Sequence, residues 1–122
     1  MPSLRSYRDL DVWNMAMEFV EQIYQTTRMF PDTERFHIVD QLRRAVTSIP
    51  ANIAEGHGRS VKIFARHLDI ALGSAAEADT LLELAHRLGY LATEDYNALM
   101  DSLTRIRKML FRLRQSVLQS TK

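Results

Sequence analysis

The chain has 122 residues, no cysteine, 16 basic against 15 acidic side chains and a formal net charge of +1. One domain spanning residues 1–122 is expected, large enough to bury about two thirds of its unfolded surface, and the lack of cysteine excludes disulfides and thiolate metal sites. The near-neutral charge lacks the strong basic excess of a committed nucleic-acid binder, and no apolar run approaches the roughly 20 residues that span a bilayer, so a soluble, cytoplasmic protein is expected.

The N-terminal MPSLRSYRDLDVW lacks the apolar core of a targeting signal. Leu10, Trp13, Met17, Val20, Tyr24 and Thr27 recur at a heptad-like spacing and predict a first helix with these residues as its core seam. A second apolar stripe, Val12, Met15 and Phe19, runs beside it. Pro31 with Asp32 ends this helix and opens the next. There, Val39, Leu42, Val46, Ile49 and Ile53 alternate by three and four and predict the buried face. Gln41, Arg44, Ser48, Asn52, Glu55 and Arg59 follow the same rhythm as a polar stripe on another face. Pro50 interrupts both, removing a backbone hydrogen bond at a cost of about 3 kcal/mol. A kink is expected, with a split at Ile49 as the rival. Gly56 and Gly58 suit the left-handed end of a helix, and Ser60 suits the cap of the following one.

Phe64, Leu68, Ala71, Ala75, Ala78, Leu82 and Ala85 form the third seam, which stops at Gly89. Its alanines, with Gly73 and Ser74, permit close approach of a neighbouring helix, and large residues such as Trp13 and Phe64 would fill the remaining volume. Tyr96, Leu99, Leu103, Ile106, Leu110, Leu113 and Val117 form the fourth seam, with Thr93 placed to cap it and Glu94 and Asp95 to complement its dipole. No strand pattern competes, and the expectation is an all-α, antiparallel up-down-up-down four-helix bundle. Apolar residues remain beside the seams of both terminal helices. Val12, Met15 and Phe19 on one, with Met100, Phe111 and Leu118 flanking Arg107 and Arg114 on the other, predict a subunit interface.

Charge is uneven along the chain: Arg105, Arg107, Lys108, Arg112, Arg114 and Lys122 face only Glu94, Asp95 and Asp101 in the last quarter. Arg105, Lys108 and Arg112 share a face turned away from the fourth seam, where they could track phosphates without disturbing the core. The polar stripe of the second helix has a favoured internal reading. Arg44, Glu55 and Arg59 would form ion pairs, while Ser48 and Asn52 satisfy backbone groups freed by Pro50; contact with RNA or a partner is the other reading. Glu34-Arg35-Phe36-His37 and Glu83-Leu84-Ala85-His86 match the Glu-x-x-His pattern of di-iron bundles. Yet Glu34, His37 and Glu83 fall off the apolar seams, and no inward glutamates on the first and fourth helices complete such a set. His57 and His67 have no carboxylate or cysteine at ligand spacing, the serines lack a nucleophile elbow, and Gly56-His57-Gly58-Arg59 is not a phosphate loop. No catalytic residue, cofactor or metal is implied.

The segments YRDLDVW (7–13), RMFPDTERF (28–36), QLRRAVTSIPANIAEGHGR (41–59), LDIALGSAAEADT (68–80) and LGYL (88–91) resemble the four-helix-bundle proteins associated with intervening sequences of bacterial 23S ribosomal RNA genes. The RRA, SIP, NIAEG and GR series is the most specific part. Relatives of that family include the accessory protein of diversity-generating retroelements, a basic, ring-shaped pentamer that works with a reverse transcriptase and nucleic acid. The resemblance implies a homopentamer of four-helix bundles. The expected function is a non-enzymatic oligomeric scaffold that binds RNA or assists a nucleic-acid-processing partner, and the alternative is a protein-interaction module without a nucleic-acid role.

Overall fold

A capping residue opens the described chain, which runs from residue 6 to 120 in this computed structural model; Lys122 lies outside it. The hydroxyl of Ser6 accepts the Arg8 N–H, and the Asp9 carboxylate accepts the N–H of Ser6, together closing a 3₁₀ turn over Tyr7–Asp9. Four helices follow: α1 (Asp11–Thr27), α2 (Asp40–Gly56), α3 (Val61–Arg87) and α4 (Thr93–Gln119). Each packs against its neighbour in the chain, and α1 also meets α4, so the apolar faces converge on one core. No strand occurs among the described residues.

The faces of α1 depart from expectation. Val12, Ala16, Phe19 and Ile23 are buried, Phe19 to 1% exposure, whereas Met17 and Tyr24 are exposed and Trp13 and Val20 are half-buried. The expected core seam and the expected interface stripe are therefore largely exchanged, although Leu10 and Thr27 are buried as expected. Both stripes repeat at helical spacing, and Ala16 and Ile23, which complete the inner one, are less conspicuous than Trp13 and Tyr24. Those two rings carry polar tips that suit a half-wet position. Trp13 consequently does not fill core volume opposite the alanines of α3, whereas Phe64 is buried as expected.

Between α1 and α2, Pro31 precedes a 3₁₀ turn over Asp32–Glu34, and a π-helical turn over Arg35–Val39 then feeds directly into α2. The helix passes unbroken through the buried Pro50, so the split at Ile49 does not occur. Pro50 has no N–H for the carbonyl of Val46, four residues earlier. The amide of Asn52 bonds instead to the carbonyl and hydroxyl of Ser48, at 2.8 and 3.0 Å, so it does not serve the group freed by Pro50.

Gly58 takes the left-handed conformation with φ 81°, but Gly56 does not: it is the last residue of α2 and is buried. A Cβ there would stand 2.8 Å from Cβ of His67 and 2.9 Å from Cδ1 of Phe64, so Gly56 marks the tight approach of α2 to α3. Ser60 caps α3 by accepting the Ile63 N–H at 3.3 Å. The third seam is buried throughout, but Gly73 is exposed and a Cβ on it would meet nothing within 4 Å, so Gly73 takes no part in the close approach, whereas Ser74 reaches Ser48 of α2. Gly89, with φ 83°, follows α3. Ala92, not Thr93, stands at the α4 N-cap without a side-chain bond, while Glu94 and Asp95 occupy the first turn.

Candidate functional site

The polar stripe of α2 divides in two. Ser48 and Asn52 turn toward α3, where the Asn52 carbonyl oxygen lies 3.0 Å from Nδ1 of His67 and the Ser74 hydroxyl donates to that of Ser48 at 2.8 Å. Because the Asn52 amide nitrogen donates to Ser48, its oxygen faces the imidazole, and Nδ1 of His67 carries the proton. This chain of four side chains fixes the register of two helices; it offers no serine paired to a base. Among the described residues, no buried side-chain polar atom is left without a partner.

Gln41, Arg44, Glu55 and Arg59 are exposed. Arg44 pairs with Asp40 one turn earlier, a contact that raises its pKa through the hydrogen bond first and the charge second. Glu55 makes no ion pair among the described residues, so the expected balance with Arg44 or Arg59 is absent. The partner was legible as the i,i+4 carboxylate preceding the arginine. The outer half of the stripe is solvated and the inner half is structural.

On α4 the basic residues also separate. Arg107 pairs with Asp79 at 2.7 Å and Arg114 with Asp69 at 2.6 Å, both reaching across to α3. Arg105, Lys108 and Arg112 are exposed and make no ion pair among the described residues. Phe111, 53% exposed, lies among them, and Leu72 of α3 joins Arg107, Lys108, Phe111 and Arg112 in lining an open groove of about 440 Å³.

The expected interface stripes fare differently. Val12 and Phe19 belong to the core and Met15 is half-buried against it, so the α1 stripe cannot face another subunit. Of the α4 stripe, Met100 is half-buried, Phe111 and Leu118 are exposed, and Arg107 and Arg114 are held by α3 carboxylates. An apolar groove of about 310 Å³ instead runs between α1 and α2, lined by Tyr7, Trp13, Met17, Val20, Pro50 and Ala54. Its signal in the sequence was the heptad run itself, assigned to the wrong side of the helix.

The two Glu-x-x-His segments hold other partners. Glu34 accepts the Tyr90 hydroxyl at 2.7 Å, Glu83 pairs with Arg87, and Nε2 of His86 lies 3.1 Å from the Thr93 hydroxyl with its ring stacked on Tyr96. The Tyr90 pKa is raised above its usual value near 10, chiefly by that hydrogen bond, then by desolvation and the carboxylate charge. Among the described residues, no helix is long and apolar enough to cross a membrane.

The family pattern described as 23S rRNA-intervening sequence protein matches residues 8–112. A crystal structure of a protein of unknown function from the S23 ribosomal protein family of Bacteroides thetaiotaomicron is 31% identical, with a TM-score of 0.78 over 85% of this chain and 95% of that one. No curated protein matches.

Proposed function

The chain belongs to the family of 23S rRNA-intervening sequence proteins, and from that premise we propose that it is a non-enzymatic, oligomeric helical scaffold that meets RNA through α4. The observation that carries this reading is the division of the α4 cations. Arg107 and Arg114 are neutralised by α3, while Arg105, Lys108 and Arg112 stand exposed without an acid. Three unpaired cations on one helix face form a local basic patch that a near-neutral chain can present repeatedly through assembly.

Successive helices run antiparallel in this reading. Arg107 meets Asp79 and Arg114 meets Asp69, so α4 rises as α3 descends; Ser48 meets Ser74 and Asn52 meets His67, which supports the same sense for α2 and α3. The α1–α2 groove then lies on the side of the bundle opposite the α3–α4 groove. Two different apolar patches on opposite sides suit a head-to-tail contact, which closes into a ring when the rotation permits, and a pentamer is the proposed assembly. The same grooves favour the second reading, a protein-interaction module without RNA, in which Lys108 and Arg112 rim a protein contact at Phe111.

RNA titration at several salt concentrations separates the two. Each phosphate contact to a single strand contributes about −0.7 to the slope of log affinity against log salt. Arg105→Gln, Lys108→Gln and Arg112→Gln combined should weaken binding and flatten the slope; because Lys108 and Arg112 also line the Phe111 groove, Arg105→Gln alone, outside that groove, should flatten the slope in part while leaving subunit mass unchanged. No RNA binding by the parent, or equal slopes for the parent and the triple variant, favours the protein-interaction module.

A further inference from the structure

A second cationic site lies away from α4. Arg28, at the end of α1, Arg35, at the start of the π turn, and Arg43, in the first turns of α2, line one cleft of about 170 Å³. Asp32 is the one carboxylate lining it, and none of these four charged side chains makes an ion pair among the described residues. Glu34, which accepts the Tyr90 hydroxyl, and Asp40, which pairs with Arg44, do not line the cleft. Three cations against the single Asp32 carboxylate leave the cleft lining with excess positive charge.

Arg43 is positioned in advance. Its Nε donates to the buried Thr27 hydroxyl at 3.0 Å, one terminal nitrogen donates to the Tyr24 carbonyl at 3.3 Å, and its guanidinium lies 4.3 Å from the centre of the Tyr24 ring. A guanidinium has five N–H groups, so the other terminal nitrogen keeps its donors unclaimed, and little freedom is lost when they meet an acceptor. Arg35 and Val39 bracket the π turn and both line the cleft, so this irregular turn shapes its wall. Such turns concentrate at functional sites.

We infer that Arg28, Arg35 and Arg43 form a binding site for a phosphate group. Guanidinium forks match phosphate oxygens by charge-assisted, bidentate hydrogen bonds. The cleft falls below the roughly 300–1,000 Å³ of sites that enclose a drug-sized ligand, so it takes the phosphate and leaves the remainder outside. Next to Arg35 in the chain, Phe36 is 79% exposed, with the Arg35 guanidinium over one face of its ring at 5.4 Å from the centroid. The ligand is a free phosphate or phosphomonoester, or a phosphate of a single-stranded nucleic acid whose base stacks on that ring. This inference does not rest on the α4 patch and fails separately from it.

Calorimetric titration with inorganic phosphate, against chloride at constant ionic strength, tests the site. The parent should give saturable binding, and Arg28→Gln with Arg35→Gln, both exposed in the parent, should weaken it by about tenfold or more. The α4 triple glutamine variant should bind phosphate as the parent does. Absence of saturable binding, or unchanged affinity in the Arg28/Arg35 variant, overturns the inference. An oligoribonucleotide with and without a 5′-phosphate then identifies the source: dependence on the 5′-phosphate marks a terminal monoester, and equal sensitivity of both oligomers to the double substitution marks the phosphodiester backbone. Insensitivity of both, beside a lost inorganic-phosphate response, marks a small phosphorylated molecule.

Discussion

Asn52 concentrates the structural half of the polar stripe, because its one side chain joins Ser48 and His67 while lying at 9% exposure. Asn52→Ala leaves a half-buried imidazole N–H without its acceptor and a serine hydroxyl without one of its donors, so a loss of about 1–3 kcal/mol is expected on thermal or urea unfolding. An unchanged midpoint would show that water replaces the network. Tyr90 offers a pH test in a different direction. Its raised pKa means that the folded chain holds the phenolic proton more tightly than the unfolded chain does. The associated stabilisation is complete below the unfolded value near 10 and is lost as pH rises through the higher folded value. Tyr90→Phe should therefore melt below the parent at pH 8, with the gap closing in strongly alkaline buffer. A gap constant across that range would sever the Tyr90–Glu34 bond from stability.

Two glycines make opposite predictions for the helices that carry them. Gly56→Ala places a methyl group against His67 Cβ and Phe64 Cδ1, both under 3.0 Å, so α2 and α3 must separate. A cost of about 1–3 kcal/mol is expected, as for other overpacked contacts. Gly73→Ala in the exposed interior of α3 meets no atom and should stabilise by about 0.5–1 kcal/mol; thermal melts of both variants check the pair. The contrast also shows where sequence reading succeeded and failed. Apolar spacing sufficed for the buried faces of α2 and α3 and for most of α4, because each has one stripe that is plainly more apolar than its surroundings. On α1, two stripes compete, and only the packing of Val12, Ala16, Phe19 and Ile23 against the other helices decides between them. The roles of Gly56, Ser74 and His67 were illegible for a related reason: each depends on a residue 8 to 26 positions away across the α2–α3 contact. Arg105, Lys108 and Arg112 were legible as a shared outer face, since helix geometry alone placed them away from the seam.

Assembly follows from the corrected face of α1. If the α1–α2 groove of one subunit receives the Phe111 side of the next, light scattering should give a mass near five times the 14.1 kDa chain, and a monomer at micromolar concentration would reject the ring. Phe19→Glu buries a charge in the core and should abolish helicity along with assembly. Met17→Glu and Phe111→Glu alter exposed residues, so each should dissociate the assembly while circular dichroism stays helical. Mixing these two variants tests the head-to-tail geometry itself. The Met17 variant keeps an intact α3–α4 side and the Phe111 variant keeps an intact α1–α2 side, so a one-to-one mixture can rebuild a single contact. Each variant alone should remain a monomer, and the mixture should form a heterodimer that cannot grow further. Were the contact isologous, with each groove meeting its own copy, a variant would retain one self-complementary patch and dimerise without the other. A heterodimer that appears only on mixing is thus the expected result, and homodimers of either variant would exclude the head-to-tail ring.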